Sequence, residues 1–377
     1  MSVPNVDPAA YPALLEAKRD RITTQFARFN PPALEVLDSP PTHYRQRVEF
    51  RLWHEGDDLF YAMFEPDPEL PGKQRPVRVD TFPVANVRIN ALMEPLRQAI
   101  RASDVLRRKI FQIEFLSTQD GETLVSMIYH RQLDEAWEAE ARALQQQFDI
   151  KIIGRARKQR LVLVDDFVTE HLDVEGRTFH YQQVENSFTQ PNAVIAAKML
   201  TWARQATRPR EGEASRDLVE LYCGNGNFTV ALAENFRRVL GTEISRTSVA
   251  SAQVNIAANA LGNVVVARMS SEDFSQALSG ERIGRRAQAL ALDTYDFSTV
   301  LVDPPRAGLD EGSCAEIAKY ERIVYISCNP DTLETNLAQL TQTHRITRLA
   351  LFDQFPYTHH CECGVLLERL EGAAAEA

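Results

Sequence analysis

Four short stretches in the second half of the chain carry residue types able to hold a cofactor and attack a substrate. Ser327-Cys328-Asn329-Pro330 follows the apolar run Arg322 to Ile326 and precedes a helical pattern that begins near Asp331. Cys328 is therefore expected at a strand end beside a helix N-terminus, where the helix dipole favours a thiolate. A lone cysteine is more often a buried packing residue, and it is the neighbouring ligand loops that point to a nucleophile here. Glu362, in Cys361-Glu362-Cys363-Gly364, offers a carboxylate for general acid–base work.

The other two stretches read as a cofactor site. Leu218 to Leu221 runs into Tyr222-Cys223-Gly224-Asn225-Gly226-Asn227-Phe228, a glycine turn between strand and helix where backbone can approach a ligand closely. Phe228 and Thr229 stand where a dinucleotide fingerprint would place its third glycine, so a cofactor without pyrophosphate fits better. The next strand ends at Glu243, a carboxylate able to accept from both hydroxyls of a cofactor ribose, although a helix-capping acid before Ser245 is its plain alternative. In Asp303-Pro304-Pro305-Arg306, two prolines stiffen the backbone and remove two amide donors, which holds Asp303 at the edge of a rigid wall. His359-His360-Cys361-Glu362-Cys363 could be taken for a metal site. Its potential ligands crowd into five residues and no second cluster completes a tetrahedral set, so no metal is expected.

These stretches need strand ends to hold them, and the pattern supplies them. Apolar segments at 218–221, 238–242, 264–267, 299–302 and 323–326 alternate with helical segments, which predicts an α/β, doubly wound, mostly parallel sheet with ligands beyond the strands' carboxyl ends. The first part differs. Residues 12–30 read as a helix with Leu14, Leu15, Lys18, Ile22 and Phe26 at helical spacing. In 44–53, Val48, Phe50 and Leu52 alternate with Arg47, Glu49 and Arg51, so one strand face is apolar and the other presents arginines. Turns at 54–57 and 119–122 predict hairpins, 133–148 predicts a helix, and strands at 150–153 and 161–164 flank a basic turn. Two domains follow: an α+β domain over 1–180 and an α/β domain over 181–377, which ends in an alanine-rich tail after Gly372.

Composition narrows the partners. The chain of 377 residues has a formal charge of −10, which opposes phosphate binding unless basic residues cluster. They do, at Arg97, Arg101, Arg107, Arg108 and Lys109 and again at Lys151, Arg155, Arg157, Lys158 and Arg160, and the two runs together favour a polyanion. Five cysteines and no basic-then-apolar leader predict reduced thiols and a cytoplasmic protein, with neither membrane nor protein partner implied.

A thiolate paired with a base matches methylation at carbon 5 of a uracil. That carbon is too weak a nucleophile to take a methyl from a sulfonium unless a thiolate first adds to carbon 6. The adduct then carries a proton on carbon 5 that a base must remove before the thiol can leave.

The chain also resembles the bacterial tRNA (uracil-5-)-methyltransferase family, which modifies uridine 54 in the T-loop. The likeness spans nearly its whole length and rests on Gln182-Gln183-Val184-Glu185-Asn186-Ser187-Phe188-Thr189-Gln190-Pro191-Asn192, Tyr222 to Phe228, Asp303 to Arg306, Ser327 to Pro330 and Phe352-Asp353-Gln354-Phe355-Pro356-Tyr357-Thr358-His359-His360. The resemblance implies a Rossmann-like S-adenosylmethionine-dependent methyltransferase domain behind an N-terminal RNA-binding domain. It places cofactor contacts on Gln190, Tyr222, Asn227, Glu243 and Asp303, the nucleophile on Cys328, the base on Glu362, and RNA contacts on Arg51 and Phe111. A core phenylalanine and a solvated arginine are the even alternatives for those last two. The implied substrate is the T-arm of tRNA, with the similar arm of tmRNA as a second acceptor. A 23S rRNA uridine enzyme is the alternative, and since no cysteine precedes residue 223, the iron–sulfur cluster of several such relatives cannot be built in the first half. The cytosine enzymes place a cysteine after the proline of their Asp-x-Pro loop, where this chain has Arg306.

Overall fold

The computed structural model describes residues 6–70, 72–281 and 284–372; the alanine-rich tail lies outside them. In chain order its strands begin with β1 (Glu35–Leu37), β2 (Arg47–Glu55), β3 (Asp58–Pro66), β4 (Gln74–Arg78), β5 (Ile110–Ser117) and β6 (Thr123–Tyr129). There follow β7 (Lys151–Ala156), β8 (Gln159–Val162), β9 (Phe167–Val174), β10 (Arg177–Val184), β11 (Asp217–Leu221) and β12 (Val239–Glu243). The last five are β13 (Val264–Arg268), β14 (Phe297–Val302), β15 (Arg322–Ser327), β16 (His344–Phe352) and β17 (Glu362–Arg369).

The chain divides into two compact units. Among the described residues, one holds 6–9, 40–171 and 183–193; the other holds 10–39, 172–182 and those from 194 to 372. The sequence had suggested one boundary at residue 180. The division is different because helix α1 (Tyr11–Phe26) buries Ile22 and Phe26 in the core of the second unit, and β1 adds an edge to its sheet beside β16. Contacts between residues this far apart leave no trace in local periodicity.

In the first unit seven strands run in the order β4-β3-β2-β5-β6-β7-β8. β2 alternates as its sequence predicts, with Val48, Phe50 and Leu52 buried and Glu49, Arg51 and Trp53 exposed. The helix Glu135–Phe148 is started by Asp134, whose side chain accepts from the Trp137 amide at 2.9 Å, and it presses Trp137 onto β7. Gly154 allows this approach: a Cβ there would meet the Trp137 ring at 2.3 Å. Separately, β9 and β10 form a two-stranded sheet.

The second unit contains the eight-stranded sheet β1-β16-β17-β15-β14-β11-β12-β13. Its pairs are parallel except that β17 runs antiparallel to both β15 and β16. β11 is buried along its whole length and β14 and β15 in all but their first residue, as the mostly apolar sequences of strands covered on both faces require. From β11 the chain moves outward through β12 and β13, then returns to place β14 on the other flank of β11. Strand order therefore reverses between β11 and β14, the point beyond whose carboxyl ends such sheets bind their ligands. Among the described residues, no helix is long and apolar enough to cross a membrane.

Candidate active site

Register alone assembles most of the site. Leu221 pairs with Thr242 on one side and Val302 on the other, so Tyr222, Glu243 and Asp303 are the next residues of three adjacent strands. Val302 in turn pairs with Tyr325, and Ser327 pairs with Cys363 of the antiparallel β17. One residue further, that register sets Cys328 across from Glu362. Cys361, Cys363, Val365 and Leu367 belong to the apolar core, which leaves Glu362 on the opposite face, as alternation predicts.

The glycine turn is built for close approach. Tyr222, Gly224 and Gly226 all have positive φ, at 65°, 56° and 81°. An aromatic residue held in the left-handed region is strained, and such strain gathers at ligand sites. The Tyr222 hydroxyl lies 2.9 Å from Ser271 Oγ. Glu243 accepts from the Gly224 amide at 3.1 Å and the Ser245 amide at 2.7 Å, so its carboxylate is fixed while each oxygen keeps a lone pair. Tyr181 donates to the Asn227 carbonyl at 2.9 Å, and Asn225 and Ser251 both donate to the Gln182 carbonyl. The side-chain nitrogen of Asn227 is buried without a hydrogen-bond partner. A buried orphan donor beside a fixed carboxylate suits a polar nucleoside ligand.

The two loops of the chemical half are tied together. Asn329 donates to the Arg306 carbonyl at 3.0 Å and caps the helix Pro330–Leu340 by accepting from the Asp331 amide. Asn336 accepts from the Leu309 amide and the Tyr325 hydroxyl and donates to the Leu309 carbonyl, so the stretch after Asp303-Pro304-Pro305-Arg306 is fastened to that helix.

Three buried carboxyls lie at these strand ends, and burial dominates their behaviour. Glu220, inside β11, accepts from Thr229 Oγ1 and is pushed up to about 8. Burial and the neighbouring Asp303 carry Glu362 well above the carboxylate range, and burial raises Asp303 too. The thiol of Cys328 behaves differently from the sequence expectation: burial, Glu362 and Asp303 push it up to about 11, against a smaller opposing effect of Arg306. The desolvation and negative neighbours outweigh any help from the helix end, and the resting thiol is neutral.

Cys328 is half-buried while the other four cysteines are fully buried. Its alkylation by iodoacetamide should therefore rise about tenfold per pH unit from 7 towards 10, since only the thiolate reacts. Mass spectrometry of the Cys328 peptide measures this directly. A rate that levels off below pH 9 would mean that the thiol is not raised.

Tyr222, Asn227, Glu243, Asp303, Cys328 and Glu362 are thus gathered in the second unit. Gln190, Arg51 and Phe111 belong to the first. There, Phe111 stacks on His130 with ring centroids 3.8 Å apart and planes 12° from parallel, and the Arg51 guanidinium lies 5.2 Å from the Phe111 centroid. Phe111 is neither a core residue nor isolated; it is the middle of a stacked row that sequence could not show, because His130 belongs to the partner strand's end. The basic runs prove less open than they read. Lys151 pairs with Glu122 and Asp165, Arg155 and Arg160 with Glu185, and Arg97 and Arg101 with Asp58, while Arg108, Lys109, Arg157 and Lys158 stand exposed.

Comparison with known proteins places the chain in a family. The family model described as tRNA (Uracil-5-)-methyltransferase matches residues 10–370. The chain belongs to that family. A protein of Chromohalobacter salexigens named tRNA/tmRNA (uracil-C(5))-methyltransferase is 70% identical over 375 residues, covering 99% of this chain and all of that one. One of the same name from Aeromonas salmonicida is 54% identical over 370 residues, 97% of this chain and 96% of the other. The fold is also that of the Pyrococcus abyssi tRNA (uracil-54, C5)-methyltransferase solved with S-adenosyl-L-homocysteine, at a TM-score of 0.68 and 21% identity, covering 95% of this chain and 83% of that one.

Proposed function

We propose that this uracil-5-methyltransferase acts on uridine 54 in the T-arm of tRNA, and on the similar arm of tmRNA, through a transient bond between Cys328 and carbon 6 of the base. The chain is an S-adenosylmethionine-dependent tRNA methyltransferase, and its place of action is the cytoplasm. The observation that carries the mechanism is the juxtaposition of Cys328 with Glu362 across the β15–β17 register, one strand away from Asp303.

The residues beyond β11, β12 and β14 fit the cofactor. Glu243 is free to take the ribose hydroxyls, the orphan Asn227 nitrogen and the left-handed Tyr222 backbone line the turn, and Asp303 borders it. When bound, S-adenosylmethionine supplies an electrophilic methyl on a sulfonium, and the carboxyl cluster suits that positive charge. Gln190, of the first unit, is the fifth proposed contact.

Cys328 does the first chemistry. Its sulfur adds to carbon 6 of the uracil, which loads electron density onto carbon 5. Because the thiol is neutral at rest, it gives up its proton to water at the partly exposed strand end as the ring is attacked, which protects it from adventitious reaction. Once carbon 5 carries the methyl, Glu362 in its ionised form takes the hydrogen from that carbon as a proton, and the carbon–sulfur bond breaks to release the Cys328 thiolate and regenerate the aromatic base. A carboxyl raised by burial is a stronger base than an exposed one, which suits abstraction from carbon. Arg51 and Phe111 are the proposed RNA contacts of the first unit, where the exposed Arg51 guanidinium beside the Phe111–His130 row suits an unstacked base.

The assay is direct. Incubation with unmodified tRNA and methyl-labelled cofactor, followed by nuclease digestion, should yield labelled 5-methyluridine from position 54, and a tRNA with cytidine at that position should stay unlabelled. Label at another position, or on a ribosomal RNA fragment in preference to tRNA, would overturn the substrate assignment.

A further inference from the structure

The nine residues 353–361 connect β16 to β17 and end at the proposed base, Glu362. They form a strap tied to the sheet at its first residue, where the Asp353 amide donates to the Leu37 carbonyl of β1 at 3.0 Å, and beyond that point it lies between the two strands' paired residues. There it is held by α1. Lys18 donates to Asp353 Oδ1 at 2.6 Å and to the Phe355 carbonyl at 2.9 Å. Arg21 donates to the His359 carbonyl and to Cys361 Sγ, both at 2.9 Å. Tyr11 packs its ring 6.0 Å from that of Tyr357, a strap residue held at φ 64°. Three residues of one helix thus grip the strap near its start, middle and end. At its far side His360 Nδ1 lies 3.4 Å from Arg306 Nη2, in the loop beside Cys328.

Lys18 is unusual among these. It is only 7% exposed and stands on the buried face of α1 with Tyr11, Ile22 and Phe26, while Asp353 is 1% exposed. A buried ion pair is a poor stabiliser, since desolvation offsets most of its attraction and a well-packed apolar pair often does as well. What it does supply is a fixed direction for a backbone that two charges must meet. We propose that Lys18 is a positioning residue for proton abstraction: through Asp353 it sets the strap that delivers Glu362, without itself touching RNA or cofactor. The inference rests on the reading that Glu362 removes the hydrogen from carbon 5.

The effect is therefore confined to the second half of the reaction. Lys18→Met should leave formation of the Cys328–RNA adduct within about twofold of the wild type, whereas release of tritium from [5-³H]uridine-labelled tRNA should slow by roughly ten- to a hundredfold, as a small misplacement of a catalytic group does. A denaturation-resistant protein–RNA band should build up accordingly. Lys18→Arg, which keeps the charge, should recover part of the release rate. The double variant Lys18→Met/Asp353→Leu guards against simple unfolding: it should melt within a few degrees of the wild type, since the apolar pair replaces the ionic one, yet still release tritium slowly. If the double variant restores release together with stability, or if Lys18→Met slows adduct formation and release in equal proportion, Lys18 is merely structural and the inference is overturned. A wild-type protein that forms no adduct even with 5-fluorouridine tRNA would instead bring down the covalent reading on which it rests.

Discussion

Cys328→Ala is expected to lower methyl transfer by roughly 10⁴-fold or more, the scale on which removal of a covalent nucleophile acts, while tRNA affinity stays near that of the wild type. The reason is chemical rather than structural. Carbon 5 of uracil gains its nucleophilic character only when a sulfur occupies carbon 6, and no other group at this strand end can take that role: the remaining four cysteines are buried. The packing cost is small, because Cys328 is half-exposed and its loop is held by Asn329, which donates to Arg306 O, and by the Ser327–Asn329 contacts, none of which involve the thiol. Cys328→Ser should be equally inert, since a hydroxyl ionises far less readily than a thiol already raised to about 11. Single-turnover methylation with a gel-shift measurement of tRNA binding separates the two effects. More than about one hundredth of wild-type transfer in the alanine variant, on the scale set by nucleophile removal, would be incompatible with a covalent route.

The second large effect is a trap. Glu362→Gln should slow turnover by about 10²- to 10⁴-fold, as expected for loss of a general base, but it should not slow the first step. The carboxyl at 362 raises the Cys328 thiol, so its replacement by an amide removes that effect and leaves attack at least as easy. With addition intact and proton removal blocked, the methylated adduct has no exit, and protein–RNA complex resistant to denaturation should accumulate on ordinary tRNA. Asp303 is the obvious substitute base, being the carboxyl that acts on both Cys328 and Glu362. Near-normal turnover of Glu362→Gln would transfer the role to it.

The strand ends that carry the site were legible because their signals are local. A glycine turn after an apolar run, two prolines behind an aspartate, and a Ser-Cys-Asn-Pro before a helix each announce a βα junction within a few residues. Hairpins at 54–57 and 119–122 followed from turn chemistry for the same reason, and the strands β2, β3, β5 and β6 lie where those turns put them. What depended on distant partners was not legible. The basic run at 151–160 reads as a patch, but Glu185, Glu122 and Asp166 arrive from elsewhere to neutralise much of it. The thiol of Cys328 was expected to be acidic from its own helix, and the carboxyls that reverse this come from two other strands. Lys18 looked like an ordinary member of a helical stripe, since nothing near it in sequence reveals Asp353. The segment 10–39 likewise joins the second unit through contacts that no periodicity encodes.

One measurement bears most directly on the covalent step. Unmodified tRNA transcribed with 5-fluorouridine, mixed with the wild-type protein and S-adenosylmethionine, should give a protein–RNA adduct that survives boiling in detergent, because fluorine cannot leave carbon 5 as a proton does. Peptide mapping should place the RNA on Cys328, and Cys328→Ala should give no adduct. An absent adduct with the wild type, or one that persists in Cys328→Ala, would contradict the account.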